Sequence, residues 1–299
     1  MGTASATPAF GRHLSAHLVE NFHRYYLIDC GEATQFQLNR YKIRLRRLDA
    51  IFITHMHGDH VLGLPGLLNT LNLAGRTDDL VLVGPGALLD FLQCQFKHTH
   101  TELGFQLVFR NWEDYTPQTP VYETDALQVT PLPLRHRMPC KGFLFQQKPK
   151  PPRFLAKVAE ELGVQRQHYK LLKQGNPVQN LRGELIQPEQ VLGERPPSGS
   201  YAYCSDTDYL PQLAEYVQGV GLLYHEATFL QQHADRARET QHSTAAEAAE
   251  IARLAGVQRL LLGHFSARYR DLEPVLQEAR AVFPATQLAT EGETYTICE

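Results

Sequence analysis

Short apolar runs alternate along this chain with longer stretches whose apolar positions recur at helical spacing. Residues 25–29 (YYLID), 50–54 (AIFIT), 80–83 (LVLV), 222–225 (LLYH) and 260–262 (LLL) are short, largely apolar and close on Gly, Asp or His, the pattern of buried strands. Residues 243–254 (STAAEAAEIARL) predict a helix: Ser243 or Thr244 can cap it, alanine favours its body, and Gly256 stands where a stop belongs. Further helices are predicted near 87–96 and over 270–282. Strands alternating with helices predict a layered α/β architecture.

Composition narrows the class. With 43% apolar residues in 299, enough surface can be buried to offset the entropy of ordering the chain. The five cysteines (Cys30, Cys94, Cys140, Cys204, Cys298) are few, odd in number and scattered, which argues against a disulfide scaffold. No apolar run approaches the roughly 18 residues of a membrane span. The opening Met-Gly-Thr-Ala-Ser-Ala-Thr-Pro lacks the basic end and apolar centre of a secretory signal. A cytoplasmic protein with no membrane partner is expected. The net charge of -3 by itself speaks against binding nucleic acid through bulk positive charge.

That balance is uneven along the chain. Between 148 and 182 eight basic residues (Lys148, Lys150, Arg153, Lys157, Arg166, Lys170, Lys173, Arg182) face two acidic ones (Glu160, Glu161), a local +6 that leaves -9 for the remainder. The wider stretch 148–199 is polar, proline-rich and shows no buried strand pattern; it reads as an insertion, functional or merely solvated.

Fourteen histidines are many for this length, and their placement matters more than their number. After the strand at 50–54 comes Thr54-His55-Met56-His57-Gly58-Asp59-His60. Residues two apart in an extended segment point the same way, so His55 and His57 can grip one ion, and a turn at Gly58 throws Asp59 and His60 toward a second position. His136, Asp206 and His264 each follow an apolar run and complete a count: His55, His57 and His136 for one ion, Asp59, His60 and His264 for another, Asp206 between them. Two such ions activate a shared water and clamp the oxygens of an in-line displacement, with Asp59 the natural proton acceptor. That chemistry hydrolyses phosphodiesters, thioesters, lactones and β-lactams alike. It gives a reaction type without a substrate. Zn²⁺ suits histidine-rich sites, and Mn²⁺ or other divalent ions suit mixed histidine–carboxylate ones.

His-x-His-x-Asp-His after a strand resembles the signature of the metallo-β-lactamase superfamily, and the surrounding segments resemble its ribonuclease Z family. They are Leu27-Ile28-Asp29-Cys30-Gly31-Glu32-Ala33-Thr34-Gln35, the metal motif followed by Gly63-Leu64-Pro65-Gly66-Leu67, His136-Arg137-Met138-Pro139-Cys140-Lys141-Gly142-Phe143, Ser205-Asp206-Thr207, His225-Glu226-Ala227-Thr228-Phe229, His242-Ser243-Thr244 and Gly263-His264-Phe265-Ser266-Ala267-Arg268-Tyr269. The resemblance implies an αβ/βα four-layer sandwich forming a single hydrolase domain over 1–299, interrupted by a basic arm at about 148–199 that grips precursor tRNA. It implies a cytoplasmic, two-metal endoribonuclease that trims the 3′ end of precursor tRNA, working as a homodimer, with no DNA partner expected. It assigns His242 to the leaving oxygen, Arg268 to a backbone phosphate, and Glu226 to orienting His242; Lys170 and Lys173 fall within the arm as substrate-binding candidates. The arm holds Leu172-Lys173-Gln174-Gly175 but not the Gly-Pro pair usual before it. Residues 2–8 resemble the loop that follows a first strand, of which only Met1 is present, so an exposed sheet edge is expected. The alternatives are a small-molecule phosphodiesterase or arylsulfatase-like hydrolase, which needs no arm, and a catalytically inert RNA-binding relative, which needs no complete ligand set.

Overall fold

The structure is a computed structural model and describes residues 1–297. The chain divides into two compact units, Met1–Gln146 with Ser200–Ile297, and Gln147–Gly199.

The larger unit holds two sheets. The first contains β1 (His17–Asn21), β2 (Arg24–Ile28), β3 (Leu48–Phe52), β4 (Leu80–Gly84) and β5 (Leu107–Asn111) in that spatial order, parallel from β2 onward. The second begins with β6 (Tyr122–Glu123), β7 (Leu127–Pro133) and β8 (Lys141–Gln147). In the smaller unit lie β9 (Val178–Gln179) and β10 (Leu185–Ile186), after which β11 (Ser200–Cys204), β12 (Leu222–Glu226), β13 (Leu260–Gly263) and β14 (Thr286–Leu288) complete the second sheet. Its order is β14-β13-β12-β11-β8-β7-β6, with β11 to β14 parallel and β8 antiparallel to β11.

Alternation along the strands sorts side chains into layers. Tyr26, Ile28, Ala50 and Phe52 of the first sheet meet Phe143, Phe145, Tyr201, Tyr203 and Tyr224 of the second in an aromatic-rich middle core. Their neighbours face outward: Leu27, Ile51 and Ile53 pack with Leu67 and Leu68 of the helix Leu64–Leu73 and with Leu88 and Leu92 of Gly86–Thr99. On the other side Ala202, Cys204, Leu223 and Leu262 pack with Ala248, Ala249 and Ala252 of the helix Ala245–Ala255. Helix, sheet, sheet, helix gives four layers. Thr244 and Glu247 cap that last helix reciprocally, and Gly256 ends it in a left-handed conformation.

Two strand ends come earlier than the apolar runs suggest. The runs at 25–29 and 50–54 contain strands that stop at Ile28 and Phe52, because Asp29 turns to φ 56° and its carboxylate takes over the Thr54 amide at 2.9 Å. The helix expected over 270–282 starts at Glu273, whose amide is held by the Asp271 side chain at 3.0 Å.

The unit Gln147–Gly199 corrects the expectation of a stretch without buried strands. Two-residue strands β9 and β10 form a hairpin, and Ala159, Val164, Leu172, Val178, Ile186 and Val191 make a small core of their own. Elements this short leave no period to read in the sequence.

Candidate active site

The parallel strands deliver their C-terminal ends to one edge of the larger unit, and the candidate residues follow those ends. His55 and His57 leave β3 in extended conformation, after which the chain winds into a single helical turn, Gly58–Val61. Asp206 and His264 follow β11 and β13, both with left-handed backbone (φ 56° and 57°). Asp29, after β2, does the same. Such conformations are costly for residues other than glycine and collect where structure imposes them; here Asp206 and His264 aim their side chains at a common point, and Asp29 aims its carboxylate at the far nitrogen of His60.

Two donor sets result. His55 Nε2 and His57 Nδ1 are 2.9 Å apart, His136 Nε2 is 3.2 Å from His57 Nδ1, and Asp206 Oδ2 is 3.6 Å from both His55 Nε2 and His136 Nε2. The other oxygen of Asp206 faces the second set, with Oδ1 3.2 Å from His60 Nε2 and 3.0 Å from His264 Nε2. Asp59 Oδ2 closes that set at 3.4 Å and 3.6 Å from the same nitrogens. Donors about 2.0–2.2 Å from a tetrahedral ion stand roughly 3.3–3.6 Å apart. His60 Nε2 and His264 Nε2 are buried and make no hydrogen bond in spite of the carboxylates beside them. Nitrogens and oxygens converge on a shared point instead of lining up as donor and acceptor. That is how ligands sit, and the residues fit a pair of divalent cations.

The far nitrogens of the rings are held in turn. His55 Nδ1 meets Thr54 Oγ1 at 2.9 Å, His60 Nδ1 meets Asp29 at 2.8 Å, His136 Nδ1 meets the Gln241 carbonyl at 2.9 Å and His264 Nδ1 meets Thr228 Oγ1 at 3.0 Å. These contacts fix each tautomer and leave the site-facing nitrogen as a lone pair. Ala6 of the N-terminal loop, itself at φ 54°, donates its amide to Asp59 Oδ2 at 2.9 Å.

Electrostatics differ across the site. Burial, reinforced by neighbouring histidines, keeps His55 and His57 below their ordinary values, and burial does the same to His136. Burial works against charge on His60 too, yet Asp206, Asp29 and Asp59 around it prevail and raise it. His242 is likewise buried, but the Glu226 carboxylate overrides burial and pushes it up to about 9. Glu226 is fully buried, 2.8 Å from His242 Nδ1, and also takes the Thr207 amide and the Thr228 hydroxyl. A cleft of about 340 Å³ bordered by His57, Asp59, Asp206, His242 and His264 opens onto this array.

The structure therefore brings together His55, His57, Asp59, His60, His136, Asp206 and His264, with His242 and Glu226 beside them. Arg268 is exposed, its guanidinium 6.0 Å over the Phe229 ring. Lys170 and Lys173 belong to the other unit. Sequence reasoning gave no role to Asp29, Thr54, Thr228 or the Ala6 amide. Asp29 alone left a trace, as an aspartate closing a buried strand.

Comparison with known proteins is specific. The chain is 40% identical to the ribonuclease Z of Bacteroides thetaiotaomicron, over 99% of this chain and 94% of that protein. It is 42% identical to the ribonuclease Z of Cytophaga hutchinsonii, over 100% and 95%. This chain belongs to the ribonuclease Z family. Among solved structures, the short form of human tRNase Z resembles it with a TM-score of 0.68 at 25% identity, covering 99% of this chain and 97% of that one. The metallo-beta-lactamase fold protein YhfI from Bacillus subtilis, TM-score 0.67 at 19% identity over 98% and 95%, shares the fold. A family model described as anti-Pycsar protein Apyc1 matches residues 1–137, the part that ends just past His136. Ribonuclease Z membership and the two donor sets together account for a metal-dependent hydrolase; among the described residues no helix is long and apolar enough to cross a membrane.

Proposed function

We propose that this chain is an endoribonuclease that removes the 3′ trailer from precursor tRNA in the cytoplasm, leaving a 3′ hydroxyl on the tRNA and a 5′ phosphate on the trailer. The carrying observation is Asp206, whose two oxygens face one donor set each, three histidines on one side and two with Asp59 on the other. His55, His57 and His136 would hold one ion, Asp59, His60 and His264 the other, and Asp206 would bridge. The histidine-rich first set suits Zn²⁺, and the mixed histidine–carboxylate second set also admits Mn²⁺. Bound ions would supply Lewis-acid stabilisation of the phosphate and a water of lowered pKa. Asp59, whose carboxylate closes the second set, would be the group that takes a proton from the attacking water. His242, kept protonated by Glu226, gives a proton to the departing 3′ oxygen. Arg268 takes a backbone phosphate.

Gln147–Gly199 is the element proposed to hold the tRNA body. Over these residues nine basic side chains face five acidic ones, +4 in a chain of net -3. Lys170 and Lys173 are exposed, the latter 5.1 Å over the Phe154 ring, whereas Arg166 is tied to Glu160 at 3.0 Å. Exposed cations of this kind neutralise phosphates independently of sequence. A homodimer is supported by Phe36 and Leu73, 69% and 80% exposed on helices Thr34–Arg40 and Leu64–Leu73 that pack together.

The test is cleavage of a labelled precursor tRNA with end mapping, with and without chelator. One chelator-sensitive cut at the base of the trailer is expected, and Asp59→Ala lowers its rate by about 10²–10⁴-fold with tRNA affinity retained. A clean, metal-loaded preparation that cuts no precursor would refute the reading.

A further inference from the structure

Next to the metal cleft lies a larger hollow, of about 620 Å³. It is lined by the segment 134–140 between β7 and β8, by Lys141 at the start of β8, and by Trp112, a buried ring fixed by an indole bond to the Ile53 carbonyl at 2.9 Å. Three cations line it, against one acidic side chain, Glu113. Arg135 is already committed to Asp208 at 2.9 Å and to the Tyr209 carbonyl. Arg137 and Lys141 are not ion-paired among the described residues. The remaining lining is apolar, chiefly Leu134, Met138 and Pro139.

Position gives the hollow its meaning. Arg137 borders both the metal cleft and this hollow, and His136 belongs to the first donor set and to the hollow's wall. The hollow therefore adjoins the cleft in which a scissile phosphate would lie. Unpaired cations beside apolar surface suit one phosphate and one base. On the substrate proposed above the trailer is an unpaired strand, the form in which a base can be splayed out against apolar surface.

We propose that this hollow is a subsite for the first nucleotides of the 3′ trailer, with backbone phosphate on Arg137 and Lys141 and a base against Leu134 and Met138. The inference rests on the ribonuclease reading and can fail separately from it. The experiment compares kcat/KM on two precursor tRNAs that differ only in trailer length, one nucleotide against six, for the full-length wild type, Lys141→Glu and Lys141→Arg. Wild type should favour the longer trailer by about tenfold. Lys141→Glu should abolish that preference, and Lys141→Arg should keep it. A 4-thiouridine at the second trailer position should crosslink to a peptide containing residues 134–141. Equal losses on both substrates for Lys141→Glu, no trailer preference in wild type, or a crosslink elsewhere would overturn the subsite. If wild type cuts neither precursor, the ribonuclease reading itself is lost.

Discussion

Behind the donors of His55 and His136 stand neutral groups, a threonine hydroxyl and a backbone carbonyl. Behind and around His60 stand carboxylates: Asp29 at 2.8 Å, Asp206 at 3.2 Å and Asp59 at 3.4 Å. The first half of the centre is a set of neutral rings kept uncharged by burial. The second half is a concentration of negative charge in a buried place, which demands a cation. The three carboxylates favour the charged form of His60 and raise its pKa against the effect of burial. One half is shaped for an ion. The other is electrostatically incomplete without one.

Asp206 is the point where the comparison should break first. Asp206→Ala removes an oxygen from each set, so both ions should be lost from purified protein and kcat/KM should fall by roughly 10³-fold or more. Metal analysis checks this directly, and loss from only one half would show that the aspartate does not bridge. Asp29→Asn sharpens the contrast. It keeps the shape but removes the charge behind His60, and an outer partner of this kind typically contributes about 10–100-fold in metal affinity. In stepwise calorimetric titration with Zn²⁺ one binding event should weaken by that factor and the other stay unchanged; equal weakening of both would mean that the halves are not independent. A separate effect, on stability and not on metal affinity or rate, concerns His242 and Glu226. The folded pKa of His242, about 9, exceeds its ordinary 6.5, so the pair's stabilisation is full below about pH 6.5 and disappears as pH rises through 9. In chelated protein this amounts to on the order of 3 kcal/mol, read as a loss of urea midpoint between pH 6 and pH 10 that Glu226→Gln lacks.

Much of the body was legible because its strands alternate by size. Tyr26, Phe52 and Tyr203 fall on one face and Leu27, Ile51 and Cys204 on the other, a period that survives in the sequence. The His-x-His-x-Asp-His cluster was legible because consecutive ligands share one strand end. What stayed hidden depends on contacts between distant segments. The bond from Asp29 to Thr54 spans 25 positions, Thr228 to His264 spans 36, and Ala6 to Asp59 spans 53; no local pattern encodes them. The small core of Gln147–Gly199 was hidden for another reason, since six buried side chains spread over short turns leave no periodicity.

The left-handed residues at the ends of β2, β11 and β13 set a condition for anyone moving this centre to another scaffold. Grafting the seven converging side chains onto regular strand ends would reproduce the inventory and miss the aim. The portable unit is a strand, its abrupt reversal and the side chain that the reversal points, together with the partner that fixes the ring. A transplanted centre has to be copied as backbone first and as residues second.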